Sequence, residues 1–338
     1  MRDRDTASMS AVAGIPDTIL IAPDSFKGTF SSFAVASAIG TGLTASGWKV
    51  DLCPIADGGE GTIEVLRDAL QAELVAATAT DPLGGRIEAT FGLAGETAIV
   101  ETAAASGLGL VAPAKRDPIE ASTFGTGQLI SAAIDAGART VYVGVGGSAT
   151  TDGGAGAVRA IRDAGGLRGA RLTILCDVRT PFEDAARVFA PQKGADAGQV
   201  SRLNKRLHSI ARRLARDPRG MPMTGAAGGL SGGLWAALGA KLVPGASFVL
   251  DALQFDRRMR AARAVVTGEG RLDLQSLVGK VVSEVATRAR QSGVPCHAVV
   301  GVRELDSFGA RILDLQAVLE ASSAEEIEGT GQRLARLI

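Results

Sequence analysis

Histidine and cysteine are nearly missing from this 338-residue chain, which holds two of the first and three of the second. Cys53, Cys176 and Cys296 lie far apart, with no CxxC pair and no Cys/His spacing. That disfavours a structural zinc site and a disulfide scaffold. Each falls in or beside an apolar run, where cysteine serves as a small core residue. His208 sits in a basic helical stretch and His297 in CHAVVG, so chemistry built on a histidine dyad or a His-rich metal site is close to excluded. Aromatics are scarce, with one tyrosine and two tryptophans, which leaves no base-stacking platform. Net charge is absent too: 36 basic residues balance 36 acidic ones, so no broad field draws nucleic acid or an anionic membrane. A small molecule is the expected partner.

Long apolar runs are also lacking. Residues 1–16 are polar and small and read as a disordered extension, not a secretory signal. The uncharged stretch 221–240, MPMTGAAGGLSGGLWAALGA, mimics a membrane span, but it carries six glycines and Pro222. It reads as a glycine-rich buried turn leading into a helix. The chain is expected to be cytoplasmic. The basic stretch 202–219 reads as a solvated helix face.

What is present is an alternation. TILIA (18–22), VDLCPI (50–55), TVYVGV (140–145), LTILC (172–176), AVVTG (264–268) and HAVVGV (297–302) are short continuous apolar runs. Helical patterns such as 31–43, 61–70 and 282–293 lie between several of them. This pattern predicts an α/β fold with a parallel sheet covered on both faces. From Glu73 the pattern alternates around the turn signals DPLGG and LAGE, which predicts antiparallel strands. The expected organisation is a discontinuous α/β domain, 1–72 with 258–338, and an inserted mixed α/β domain, 73–257.

Five segments follow strand-like runs: APDSFKGT (22–29), IADGGEGT (55–62), GVGGSATTDGG (144–154), CDVRTP (176–181) and TGEGRLDLQSLVGK (267–280). A parallel sheet gathers the carboxyl ends of its strands on one rim, so acids scattered through the sequence converge there. Asp24, Ser25 and Lys27 stand just past the first strand, and Lys27 offers a point charge to phosphate. Asp57 and Glu60 flank two glycines near a helix start, where helix capping competes with function for Glu60. Glu269 and Asp273 bracket Arg271, either as an ion-pair set or as a site for a divalent cation and polyphosphate. Gly279 and Lys280 are a further phosphate contact. This last segment is not a Walker A loop, because Leu274 and Val281 replace its required glycine and hydroxyl residue.

The glycines of 144–154 imply a sharp bend or a close approach to bare backbone. An anionic, hydroxylated ligand against Gly146, Gly147, Ser148 and Thr150 suits them. The pattern G-x-G-x-x-A from Gly144 to Ala149 admits a second reading, the pyrophosphate turn of an NAD(P)-dependent oxidoreductase. Against it, Asp163 lies in a helical stretch where a strand-end acid is needed.

IAPDSFKG, ADGGEGT, DPLGG, ASGL, STFGTGQLI, GVGGSATTDGGAGA, CDV, FAPQKGA, GAAGGL and TGEGRLDLQSLVGK occur in one order between Thr18 and Gly301. Together they resemble the bacterial glycerate kinase family, which is unrelated to P-loop kinases. The resemblance implies ATP- and Mg2+-dependent phosphorylation of D-glycerate, commonly at the 2-hydroxyl. It also implies a flavodoxin-like domain carrying an inserted α/β domain. Under it, Lys27 and Lys280 neutralise phosphate, and Ser25, Arg271, the 146–152 segment and Lys193 of FAPQKGA contact substrate or phosphate. Asp57, Glu60, Glu269 and Asp273 are the metal candidates, and Asp24 or Asp152 takes the substrate proton. A relative that binds without turnover is the third reading. Two departures stand out: the link between GGAGAVRAIRDAGG and LTILCDV is short, and CDVRTPF lacks the family's more common asparagine.

Overall fold

The computed structural model describes residues 17–277 and 279–338; the 1–16 extension lies outside them. Eleven strands are present among these residues: β1 (Thr18–Pro23), β2 (Lys49–Leu52), β3 (Glu73–Thr80), β4 (Arg86–Ala94), β5 (Thr97–Glu101), β6 (Thr140–Gly144), β7 (Arg171–Leu175), β8 (Lys241–Val243), β9 (Ala264–Leu272), β10 (Cys296–Arg303) and β11 (Leu315–Glu320). They form two sheets. The first, in the order β11-β10-β9-β1-β2, is parallel throughout. The second, β3-β4-β5-β6-β7-β8, is antiparallel across its first two pairings and parallel from β5 onward. The antiparallel entry follows the alternating stretch after Glu73, as its pattern predicts.

The first sheet draws its strands from both ends of the chain and shows why continuous apolar runs mark central parallel strands. Ile19, Leu20, Ile21 and Ala22 of β1 are all solvent-free, as are Val265 and Val266 of β9, so both faces must be covered. One face packs against the helix Val281–Ser292 and the helices Gly245–Ala252 and Phe255–Arg260. Phe255 and Met259 of the last helix sit in this core, so it straddles residues 257 and 258 while packing on the first sheet. The other face packs against Ser32–Ala45 and Ala324–Leu334. Those two helices cross so closely that a Cβ on Gly42 would stand 2.1 Å from the Glu328 carbonyl oxygen.

The helix Val281–Ser292 ends on Gly293 in a left-handed conformation, the stop that its sequence announces. The glycine-rich stretch also behaves as read. Ala227, Gly228 and Gly229 take left-handed backbone angles inside the buried helix Ala226–Leu238. The basic helix is shorter than its charge pattern suggests, running Ala197–Ala211 from a capping box of Asp196 and Gln199. Residues 212–220 follow as irregular chain in which Arg219 pairs with Asp217. All three cysteines are free and buried, with burial pushing each thiol up to about 12, as core cysteines require. Among the described residues no helix is long and apolar enough to cross a membrane.

Candidate active site

The first sheet's chain order, with β1 between β2 and β9, puts a switch point between β1 and β9, where successive connections leave in opposite directions and open a crevice. Asp24 emerges there. Its amide donates to the Gly268 carbonyl at 2.8 Å, tying the β1 exit to β9, and its Oδ1 accepts the Ser25 amide at 2.7 Å. A tight turn closes between Phe26 and Phe30, with Gly28 left-handed at its tip. The turn projects Lys27, whose Nζ meets Asp57 Oδ2 at 2.7 Å, while Asp57 Oδ1 accepts the Gly59 amide at 3.0 Å.

The electrostatics follow from this placement. Burial and the neighbouring Asp57 charge push the Asp24 carboxyl up to about 7, with Lys27 opposing them. Burial also disfavours ionised Asp57, but contact with Lys27 outweighs it and holds that carboxyl below its ordinary value. Lys27 is raised in turn, chiefly by Asp57. Two neighbouring acids are thereby set apart, one ionised and one poised near neutrality, the pattern of acid–base sites.

On β9, Glu269 is buried and raised by that burial, and its Oε1 has no hydrogen-bond partner. Lys280 Nζ lies 3.8 Å from Glu269 Oε2 and 3.7 Å from Asp273 Oδ1. Asp273 Oδ1 is also engaged by the Gln275 amide at 2.8 Å. Arg271 does not join the acids that bracket it in sequence. It pairs instead with Glu304, which follows the end of the neighbouring strand β10, and both side chains are exposed. The substrate-binding expectation for Arg271 is therefore corrected to a surface ion pair.

The glycines of 144–154 have a different cause from the one their sequence suggests. A Cβ on Gly144 would stand 2.5 Å from the Gly58 carbonyl oxygen, and one on Gly146 would stand 2.5 Å from Gly59 Cα. A Cβ on Gly245 would likewise stand 2.2 Å from the Asp57 carbonyl oxygen. What approaches the bare backbone is the chain's own 57–59 segment, wedged between the strand ends of the two sheets. Gly153 and Gly154 are crowded by Phe182 and Leu230. Gly147 differs: it is left-handed, and a Cβ there would meet only side chains, Ala103 Cβ at 3.3 Å and Glu60 Oε2 at 3.9 Å. A pyrophosphate has no room against Gly144 and Gly146, and the helix after β6 starts only at Ala155. The dinucleotide reading fails on both counts.

Asp152, expected as a candidate base, does not line the cavity described below. It is 1% exposed, and its carboxylate accepts four hydrogen bonds, from the Thr123 amide and hydroxyl and from the amides of Gly154 and Gly156. It clamps the start of the helix Ala155–Asp163. Lys193 is corrected as well: it is buried behind the loop, donating to Ser148 Oγ at 3.0 Å and the Thr150 carbonyl at 2.5 Å. Thr150 is solvent-free, with its hydroxyl unpartnered.

A cavity of about 790 Å³ opens in front of this wall. Asp24, Ser25, Lys27, Glu60, Gly146 and Gly147 line it together, along with Leu108 and Glu101. The expected contacts thus divide: these six meet at one space, Ser148, Thr150, Lys193 and Asp152 stand behind its wall, and Glu269, Asp273 and Lys280 gather around the β9 exit. Among the described residues no three His, Cys, Asp or Glu side chains converge as a ready-made metal cage.

Two acids were missed as site residues. Asp177 accepts the Gly245 and Ala246 amides at 2.7 and 2.9 Å, and burial, with the Asp57 charge, pushes it up to about 8. Its place in the strand-end segment CDVRTP was the available signal. Glu101 ends β5 and accepts the Ile63 amide at 2.7 Å, with its carboxyl raised by burial. Nothing in the alternating stretch before it marks that acid as special.

Comparison with known proteins agrees with this geometry. The profile described as the Glycerate kinase family matches residues 19–164 and 162–328, and the two segments overlap at the end of the helix Ala155–Asp163, just before the short link to β7. A glycerate kinase of Halalkalibacterium halodurans is 40% identical over 324 residues, covering 84% of this chain and 85% of the relative. A glycerate 2-kinase of Escherichia coli is 38% identical over 323 residues, covering 84% of each. A crystal structure from Salmonella typhimurium, assigned as glycerate kinase 2, superposes with a TM-score of 0.77 at 36% identity, covering 95% of this chain and 98% of that one. Switch-point acids, a facing glycine-lined wall and these likenesses lead to one conclusion: the chain belongs to the glycerate kinase family of phosphotransferases.

Proposed function

We propose that this chain transfers the γ-phosphoryl group of ATP to D-glycerate, favouring the 2-hydroxyl, in the cavity between the strand ends of its two sheets. The observation that carries this is the single 790 Å³ space lined by Asp24 and Lys27 from one sheet and by Gly146 and Gly147 from the other. Phosphoryl transfer asks for positioning and charge neutralisation and needs no histidine. Asp24 takes the hydroxyl proton: it alone of the two expected bases lines the cavity, and its carboxyl near 7 is matched to that task. Lys27, held by Asp57, faces phosphate, and the Gly146–Gly147 main chain faces the glycerate carboxylate. Lys280 stands ready for a second phosphate contact.

Mg2+ fits as a partner of ATP rather than as a resident of a protein cage. The unpartnered buried Oε1 of Glu269 and the exposed Glu60 carboxylate are the groups suited to it, whereas Asp57 spends both oxygens on Lys27 and Gly59. Asp273 keeps one oxygen for the Gln275 amide. When bound, the ion neutralises phosphate charge. The division of the chain into 1–72 with 258–338 and 73–257 belongs to the same proposal, supported by the membership of the two sheets.

The test is ADP release dependent on both glycerate and Mg2+, with the product offered to enolase alone. Enolase consumes 2-phosphoglycerate directly and ignores the 3-isomer. ADP release without an enolase signal moves the transfer to the other hydroxyl; no glycerate-dependent release sinks the proposal.

A further inference from the structure

Lys193 is the most deeply buried cation of the second sheet's loops, at 3% exposure. It sits on the short turn Pro191–Lys193, and among the described residues it makes no ion pair within 4.0 Å. Its ammonium instead holds Ser148 Oγ and the Thr150 carbonyl. The same loop is fixed on its other flank by Ala149 donating to Ser106 at 2.8 Å and by Leu108 donating to Gly147 at 2.8 Å. Gly146 and Gly147 then face the cavity, one residue ahead of the pinned Ser148. A buried ammonium without a contact carboxylate is costly to keep, and a methionine would fill the same space without that cost. The charge therefore needs a use beyond packing.

We infer that Lys193 is a positioning residue for substrate: from behind the wall it sets the Gly146–Ser148 main chain against the glycerate carboxylate and supplies the positive charge that favours an anion there. This rests on the function proposed above and names the group that orients its acidic substrate. Lys193 acts through Ser148 and Thr150 and does not touch the reacting atoms.

The titration of Lys193 makes the role measurable. Burial pushes its ammonium down to about 7, against the opposing charge of Asp152. Arg116 and Asp117 face it across the small cavity behind the loop, one disfavouring and one favouring its proton. The proton is held below about pH 7 and lost above it, so glycerate capture weakens on the alkaline side. Asp24 needs the opposite state, and the two together give kcat/KM for glycerate a bell shape centred near neutrality.

The experiment measures kcat/KM for glycerate and for ATP from about pH 5.5 to 9 in wild type, Lys193→Arg and Lys193→Met, with hydrogen exchange of residues 146–150 in each. Lys193→Arg, charged at every pH used, should lose the alkaline limb and keep the acid one. Lys193→Met should raise KM for glycerate on the order of 10-fold or more, leave KM for ATP within about 2-fold, and speed exchange in the loop but not in β6. Should Lys193→Met fail to fold, the Lys193→Arg profile and a Ser148→Ala variant, expected to raise KM for glycerate alone, decide the matter. An alkaline limb that persists in Lys193→Arg, or Lys193→Met kinetics and loop exchange equal to wild type, overturns the role. A wild type without glycerate-dependent ADP release overturns the kinase proposal instead, and the loop exchange then judges Lys193 alone.

Discussion

Replacing Gly146 by alanine tests whether the glycines after β6 serve contact between the sheets or openness to a ligand. The added Cβ would lie 2.5 Å from Gly59 Cα, where ordinary contacts begin at 3.4 Å. Backbone stands on both sides, so roughly 1 Å of movement must be absorbed by the 57–59 segment or by the 144–148 loop. Overpacking of this kind costs about 1–3 kcal/mol, and for a chain of 338 residues unfolding as one unit, at ~1.4 °C per kcal/mol, that is a fall in Tm of about 1–4 °C. Both segments border the cavity, and a 1 Å error in a positioned group lowers turnover by about 10²-fold. Melting curves and glycerate-dependent ADP release on Gly146→Ala read the two effects together. Gly329→Ala is the control: it lies in the helix Ala324–Leu334 with nothing within 4 Å of its Cβ position, and should gain about 0.5–1 kcal/mol. Gly146→Ala with wild-type Tm and turnover would refute the wedge.

Asp24→Asn should lower kcat by about 10²–10⁴-fold without lowering Tm. The Asp24 carboxyl rises from its ordinary 3.8 to about 7 on folding, so between those values the folded chain holds a proton that the unfolded chain has released. Stability therefore falls as pH rises through that window, and the asparagine variant, free of the buried charge, should melt higher than wild type near pH 8 by calorimetry. Asp152→Asn should do the reverse: the amide keeps one acceptor oxygen, but its NH2 then faces at least one buried N–H, and the charge on the remaining bonds is lost, at a cost of about 1–3 kcal/mol, while the folded fraction, isolated by size-exclusion and assayed at low temperature, keeps turnover within about 10-fold of wild type. Chelation of Mg2+ should abolish ADP release and leave Tm unchanged, since no cage of three acids awaits the ion among the described residues; a large drop in Tm would show a structural metal.

How much of this was legible depended on the kind of work each residue does. Strands that are central in a parallel sheet must be apolar on both faces, so β1, β9 and β10 could be read from composition alone. Acids and lysines at strand ends carry their function in their own charge. Asp24, Lys27, Asp57 and Glu269 could accordingly be singled out as candidates without knowing what lies across from them, and they stand at the strand ends of the first sheet. The glycines after β6 could not be read so, because a missing side chain records that something comes close but not what. A ligand and the chain's own 57–59 segment leave the same mark in the sequence, and only the structure separates them, since a Cβ on Gly146 would fall 2.5 Å from Gly59 Cα.

The same ambiguity misplaced Asp152 and Lys193. Both lie within glycine-rich motifs beside the cavity, and a sequence gives no depth: one residue step past Gly147 passes from the cavity wall to the space behind it. Which side a polar residue takes is decided by its partners' backbones, Thr123, Gly154 and Gly156 for Asp152, and Thr150 for Lys193. Those partners sit up to 43 positions away and announce nothing by type. A catalytic wall is thus only half readable from its own motif. Its front is written in the charges it presents, and its support is written in main-chain groups that every residue possesses.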